Sequence, residues 1–554
     1  VLLVTIDTWR WDHVGVSDRD LVATPNLDRL AAGGTYVPRV GTTCPLTTPA
    51  HATILTGLAP RRHGIHDNQH FVLRPHATTL AERFRSAGYD TGAVVSGAPL
   101  RRTYGLDRGF LFYDDQGLGV AAGAASAPAS RPADETTRRA LAWLSARADE
   151  RPRFLWVHYY DPHEPYDPPE PFRSRYRERP YAGEVAFVDD RLGTLLDAVR
   201  KDGARRWIVA VTGDHGEALG DHGEATHGVL LYGSTVDVPL IVVPALPAVP
   251  RDGPIGLIDV APTIADLAGL PPLRADGSSL ASGVEPDRWL DAESAYPLTG
   301  YGLNPAFRQR RGSLVYLDHG GSEVYDLASD PDEEHDLAGT EGASGFLREA
   351  TARREAAFGG EAELEPTLSP AREHVEALRS LGYVGGPRPD RRGVHAVDLR
   401  RFVADLARLG GARRLAGEGR HAEALAVLDA LASGYPASGL IEQERGRSLA
   451  ALGRLPDAER AWGRALTLDP DDAIAALDLG VVALAKGDLA SAERLFKASL
   501  AMEEGQPEAH LNLGLLYAYK LNRRQDAKPH LERFLALAPG DPEADKVRAL
   551  LEAR

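Results

Sequence analysis

A 34-residue period governs the end of the chain. Gly446, Gly480 and Gly514 fall one period apart, as do Gly419, Gly453 and Gly487, and also Ala424, Ala458 and Ala492. Three registers held at one spacing require a stack of near-identical units, because an ordinary helical bundle has no reason to keep them. Each unit reads as two short helices: a small residue where the pair crosses, a turn, an alanine in the second helix, then "LDPDD" or "LAPGD". The stack covers about residues 405–541, with one inserted residue near "KLNRRQD", and "PEADKVRALLEAR" is expected to cap it. Such solenoids expose a concave surface, which points to a protein or polymer partner.

The first 270 residues obey a different rule. "VLLVTI", "TGAVVSG", "FLWVHYY", "WIVAVTG" and "VPLIVVP" are short apolar runs of the kind buried in parallel sheets. Amphipathic stretches lie between them, among them "TPNLDRLAAGG", with Thr24 as its expected N-cap and Pro25 at the first helical position. The alternation predicts an α/β domain, a mainly parallel sheet with helices on both faces. Further on, "GSLVYLDHGGSEVYDLASD" alternates around a Gly-Gly turn and suits a small hairpin subdomain. "SPAREHVEALRSLGYVGGPRPDRRG" reads as a linker, with few contacts expected to cross it. These signals place a catalytic domain at 1–365 with a subdomain at about 295–365, a linker at 366–400 and repeats at 401–554.

Ligands gather beyond the carboxyl ends of parallel strands. Asp7 follows "VLLVTI", Asp161 and His163 follow "FLWVHYY", and Asp214 and His215 follow "WIVAVTG". One such residue is commonly a cap, but three strand ends bearing carboxylates and imidazoles point to a divalent metal. A formal charge of −16, from 63 basic and 79 acidic residues, argues against binding a nucleic-acid backbone. One cysteine excludes an internal disulfide, and no apolar run is long enough to cross a membrane. The chain opens at Val1 inside an apolar run, so a removed upstream segment is expected.

"IDTWRWD", "TPNLDRLAAGG", "TTPAHATILTGLAPRRHG", "DPHEPYDPP", "TGDHGEALGDHGE" and "YDLASDPDEEHDLA" resemble, in that order, the sulfatase-like branch of the alkaline phosphatase superfamily. The resemblance runs from Val1 to about Gly386, and the 34-residue units resemble tetratricopeptide repeats. It implies an alkaline-phosphatase-like sheet followed by an all-α repeat solenoid, and favours a periplasmic or secreted location.

Sulfatases carry C-x-P-x-R before a helix ending L-T-G, and convert the cysteine to formylglycine. Counted back from "ILTG", that position is Thr47, with Pro49 two residues on and His51 in place of the arginine. Cys44 fails the count, since Leu46 and Thr48 follow it at those spacings, and it reads as a packing residue. Threonine cannot become an aldehyde, because its β-carbon carries a methyl. Its ester must instead be opened by water at the central atom, which suits phosphorus better than a sulfate monoester. The arrangement resembles nucleotide pyrophosphatase/phosphodiesterases, whose nucleophile is a threonine and whose "HGI" segment supplies an asparagine, here matched by Asn68. Thr47, Asn68 and His51 are thus the implied catalytic residues.

By the same resemblance Asp7, Thr47, Asp214 and His215 make a metal site. Thr8 replaces a second aspartate, and the smaller carboxylate count points to Zn²⁺ or Mn²⁺ ahead of Mg²⁺ or Ca²⁺. Asp161, His163 and His227 are assigned either to substrate or to a second metal. Glu217, Asp221, His222 and Glu224 read as a charged loop. The expected activity is metal-dependent hydrolysis of an anionic ester, a phosphate diester or phosphonate ester, through phosphothreonine. The alternatives are a headgroup phosphotransferase acting on lipid or glycan, a sulfatase, and a non-catalytic platform for the repeats.

Overall fold

The computed structural model describes residues 1–118, 129–146, 151–201, 206–246, 254–358, 367–368, 378, 396–470 and 472–552. Seven strands form the main sheet: β1 (Leu2–Ile6), β2 (Thr35–Gly41), β3 (Asp90–Val94), β4 (Phe112–Asp114), β5 (Arg153–Tyr159), β6 (Val209–Gly213) and β7 (Asp237–Val243). Their order is β2-β7-β6-β1-β5-β3-β4. Pairing is parallel from β6 across to β4 and antiparallel where β7 meets β6 and β2. Side chains alternate across such a sheet. Leu2, Val4 and Ile6 accordingly enter one apolar core with the helix Pro180–Lys201, while Leu3 enters the other with the helix α2 (Thr47–Thr56). The sheet is thus covered on both faces. The helix α1 (Pro25–Ala32) begins at Pro25 as its sequence suggests, but Thr24 does not cap it. Its hydroxyl donates to Asp28 Oδ1 and accepts from Gly15 N–H instead.

The Gly-Gly hairpin is present as β10 (Leu314–Asp318) and β11 (Ser322–Asp326), with Asp318 opposite Ser322. Two further strands, β8 (Trp289–Ser294) and β9 (Ala306–Arg311), complete a four-stranded antiparallel sheet in the order β11-β10-β9-β8. The alternation of Trp289–Ser294 is weak, its first three residues being half-buried, so it gave little signal.

The repeats follow as paired helices from Leu399–Gly417 to Arg524–Leu537, with Ala544–Glu552 as the cap. The glycine register has a packing cause. A Cβ on Gly446, Gly480 or Gly514 would lie 2.4, 2.6 or 2.6 Å from Trp462, Phe496 or Leu531 of the second helix. The inserted residue is absorbed by a wide π turn at Leu516–Lys520, closed by Leu521 N–H to Leu516 O. Asn522 then takes the left-handed turn position held in earlier units by Gly419, Gly453 and Gly487.

Most of the "SPAREHVEALRSLGYVGGPRPDRRG" linker segment lies outside the described residues. The expectation that few contacts cross between the parts is wrong. Leu399, Phe402, Tyr435 and Ile441 of the repeats share one apolar core with Leu231, Tyr301 and Val315 of the N-terminal part. Phe402 is edge-on between the rings of Tyr301 at 4.7 Å and Tyr435 at 5.0 Å. Leu399 N–H donates to His319 O at 2.7 Å, and a Cβ on Gly320 would lie 1.9 Å from Val397 O. The repeats therefore dock through built surfaces. Phe402→Ala should cost about 3–5 kcal/mol and raise proteolysis within residues 227–236 as well as in the repeats. Thermal melting with mapped limited proteolysis checks this, and damage confined to the repeats would contradict the shared core.

Candidate active site

The parallel register sets the site. Ile6 pairs with Tyr159 on one side and with Gly213 on the other, so three strands end side by side and release Asp7 and Asp214 into one pocket. Both carboxylates and His215 are fully buried. His215 Nε2 lies 3.5 Å from Asp7 Oδ1 and 3.6 Å from Asp214 Oδ2. Its Nδ1 is 3.0 Å from Gly216 O, a carbonyl that can only accept, so Nε2 presents a lone pair to the two carboxylates. Asp7 Oδ1, Asp214 Oδ2 and His215 Nε2 have no hydrogen-bond partner. The other Asp214 oxygen accepts from Thr8 N–H at 3.2 Å and His215 N–H at 2.8 Å. Thr8 aims that amide by adopting φ +50°, an unfavourable conformation for a β-branched residue. It is held there by its hydroxyl on Pro162 O and by Tyr181 OH on its carbonyl, both at 2.6 Å.

Burial pushes the Asp7 carboxyl up to about 8 and lifts Asp214 well above the carboxylate range, with Asp7 adding to the latter. Burial holds His215 well below the usual histidine value, so it is neutral. Two dry carboxylates facing an imidazole lone pair, all unpaired, are a donor set that fits a dication. Their separations match donors set about 2.1 Å from one ion in a tetrahedral site, which stand about 3.4 Å apart.

Thr47 is the first residue of α2, and every residue of that helix is buried. Its Oγ1 lies 3.4 Å from Asp7 Oδ2. Asn68 joins it there: Oδ1 accepts from Thr48 N–H at 2.8 Å, Tyr104 OH donates to its carbonyl, and Nδ2 is buried with no hydrogen-bond partner. His51 does not belong with them as a group that touches substrate. Its Nδ1 donates to Thr47 O at 2.7 Å and its Nε2 accepts from Thr5 Oγ1 at 2.9 Å, so the ring positions the Thr47 backbone and has no free nitrogen. Cys44 is packed with Leu46, Ala98, Ala129 and Leu378, and burial raises its thiol well above the usual value.

Asp161, His163 and His227 separate. Asp161 turns to Ala133 N–H at the start of the helix Ala133–Ala146, and burial pushes it up to about 6. His163 donates Nδ1–H to Glu164 O at 2.8 Å and meets His227 edge-on at 5.2 Å. His227 stands 4.5 Å from the His215 ring, with Nδ1 3.1 Å from Glu217 Oε1. Burial opposes its charge, but Glu217 holds it up to about 9, so it is a cation at neutral pH. A second metal on these three residues is not supported: among the described residues the candidate metal groups are Asp7, Asp214 and His215, and His51, His158 and Asp214.

The "charged loop" is likewise mostly structural, with Glu217 and Glu224 buried, His222 half-buried and Asp221 exposed. Glu224 accepts from Val229 N–H and Leu230 N–H, Asp221 pairs with Arg10, and His222 stacks on Tyr232. Two further residues adjoin the site without having been given a role from the sequence: Glu217, against His227, and His158, 3.4 Å from Asp7 Oδ2. The signal for His158 was a lone imidazole within the apolar run "FLWVHYY".

The fold of this N-terminal part is alkaline-phosphatase-like. Residues 1–270 match the Sulfatase family model, and residues 444–509 and 477–542 match a tetratricopeptide repeat model. The chain therefore carries a sulfatase-family domain at its N-terminus and tetratricopeptide repeats at its C-terminus. It is 23% identical over 434 residues to an arylsulfatase of Clostridium perfringens, covering 62% of this chain and 90% of that one. The 2-O GAG sulfatase BT1596 shares the fold at TM-score 0.52 and 20% identity, over 65% of this chain and 91% of that one. The phosphonate monoester hydrolase of Agrobacterium radiobacter does so at TM-score 0.52 and 20% identity, over 65% and 95%.

The raised Asp7 carboxyl has a stability consequence. In metal-free protein the folded state keeps a proton that the unfolded chain releases near pH 4, so the stability it contributes is lost as pH climbs towards 8. Chelator-treated protein should melt at lower temperature at pH 8.5 than at pH 6. Asp7→Asn should flatten that slope, because it removes the Asp7 titration and eases the upward shifts of Asp214 and His227 to which Asp7 adds. Equal slopes would clear Asp7 of the effect.

Proposed function

We propose that this protein hydrolyses phosphate diesters or phosphonate esters through a covalent intermediate on Thr47. The observation that carries the reading is the placement of Thr47 Oγ1 beside Asp7 Oδ2 at the start of α2, while the only thiol is sealed in an apolar pocket. A divalent ion held by Asp7, Asp214 and His215, with Zn²⁺ or Mn²⁺ suited to these donors, would supply Lewis-acid chemistry at the reacting centre.

The chain's own residues account for the rest. Thr47 Oγ attacks phosphorus, forming a P–O bond as the bond to the leaving oxygen breaks with its electron pair. Asp7 Oδ2, at 3.4 Å, is placed to take the hydroxyl proton. His227, a cation beside Glu217, holds a proton for the leaving oxygen. Asn68 Nδ2 offers a donor to the charge that develops on the phosphoryl oxygens, and it is aimed there by Thr48 N–H on its Oδ1. Water then attacks phosphorus, releasing the acid and restoring the Thr47 hydroxyl. The repeats would bring a protein or polymer partner to this hydrolase.

A sulfatase is the second reading, because sulfatases predominate among the similar proteins. The two are separated by rate. An aryl phosphodiester or phosphonate should turn over at least ~10²-fold faster than the matching sulfate, on the order of 2.7 kcal/mol in transition-state energy. Thr47→Ala should abolish turnover and covalent labelling, and Cys44→Ala should keep both. A sulfate preference, or loss only in the cysteine variant, would replace this reading with the other.

A further inference from the structure

His158 lies inside β5, opposite Thr5 of β1 and two residues before that strand's neighbour releases Asp7. It is fully buried, and its Nε2 is 3.4 Å from Asp7 Oδ2 without forming a hydrogen bond. That carboxylate oxygen is the one that faces Thr47, while His215 Nε2 lies 3.5 Å from the other, Oδ1.

The tautomer follows from Ser96. Its hydroxyl proton is used on the backbone carbonyl of His158, so at 3.2 Å from His158 Nδ1 the oxygen can only accept, and Nδ1 carries the ring proton. Ser96 N–H donates towards Nδ1 as well, but at 3.4 Å, the outer limit of a hydrogen bond, so the closer hydroxyl oxygen sets the tautomer. The proton on Nδ1 leaves a lone pair on Nε2. A lone pair facing a carboxylate oxygen in a dry pocket is repulsive unless a cation, or in metal-free protein the Asp7 proton, lies between them. His51 cannot supply the same donor, although its Nδ1 is 3.5 Å from Asp214 Oδ2, because that nitrogen is donating to Thr47 O. A ring nitrogen of His158 and an Asp214 oxygen lie within 4.8 Å of each other, close enough to share an ion.

We propose that His158 is a further protein ligand of the divalent metal, completing a set of two carboxylates and two imidazoles with Asp7, Asp214 and His215. This rests on the reading that the latter three hold a dication. Two imidazoles shift the preference of the site from Mg²⁺ or Ca²⁺ towards Zn²⁺, Co²⁺ or Mn²⁺, and Ser96 becomes the partner that holds the ligand's tautomer.

The test uses the metal-free full chain titrated with Co²⁺, reading affinity by chelator competition and the ligand set by the visible d–d absorption. His158→Ala and His158→Gln should each weaken Co²⁺ binding at least tenfold and shift the absorption bands, with circular dichroism unchanged. Gln is the decisive variant, because its amide can donate to Asp7 but is a poor ligand. Wild-type affinity and spectrum in His158→Gln would show that His158 only hydrogen-bonds Asp7, and would overturn the proposal. Asp214→Ala separates the two levels of inference. If it binds Co²⁺ as the wild type does, or if the wild type binds none, the three-residue metal reading itself fails.

Discussion

Two carboxylates buried side by side, with no protein cation between them, are the constraint around which the catalytic part is arranged. Asp7 and Asp214 are there because β1 and β6 run parallel and end in register. Nothing in the apolar layers below could neutralise them, so the polar groups that surround the pair are strand-end and helix-start residues with fixed tasks. Thr8 accepts backbone strain to aim one amide at Asp214, and His51 is spent on holding the carbonyl of Thr47. Among the described residues, the cationic side chain that acts on Asp7 is the His227 imidazolium, and Glu217 already compensates its charge. Once the pair gives up its protons, its negative charge is not offset within the pocket, which is the condition for holding a metal rather than repelling one.

The repeats bear on this arrangement through packing. Leu231 and Tyr232, a few residues after His227, enter the same core as Phe402, and Glu323 accepts hydrogen bonds from both Tyr232 and Tyr325 while facing Arg400 of the first repeat helix. The segment that carries His227 thus has one end in the catalytic pocket and the other under the repeats. The solenoid and the posture of that segment therefore share a physical route.

Much of the site was legible because the chemistry sits at strand ends, where an apolar run stops and a carboxylate or imidazole follows at once. Asp7, Asp214 and His215 were found in that way, and the count to "ILTG" placed Thr47 at the start of its helix. Asp161 satisfied the same rule and turned aside, because the start of a neighbouring helix offers its carboxylate an amide. A strand end fixes where a residue emerges but not which way its side chain turns. Glu217 was discounted because it stands in a run of charges, and only its burial against His227 distinguishes it from Asp221.

The sequence by itself determined the periodic parts. Parallel strands announce themselves as apolar runs because both faces are buried, and the 34-residue glycine register records contacts made once per unit, within a unit. Both are local signals, repeated along the chain, and both survive in linear order. Tertiary structure alone decided what depends on two distant segments meeting. It brought His158 to Asp7 across 151 residues, walled Cys44 off behind Leu378, and joined repeats to catalytic domain through Phe402 and Tyr301. Those outcomes turn on angle and burial at a meeting point, and a one-dimensional pattern carries neither.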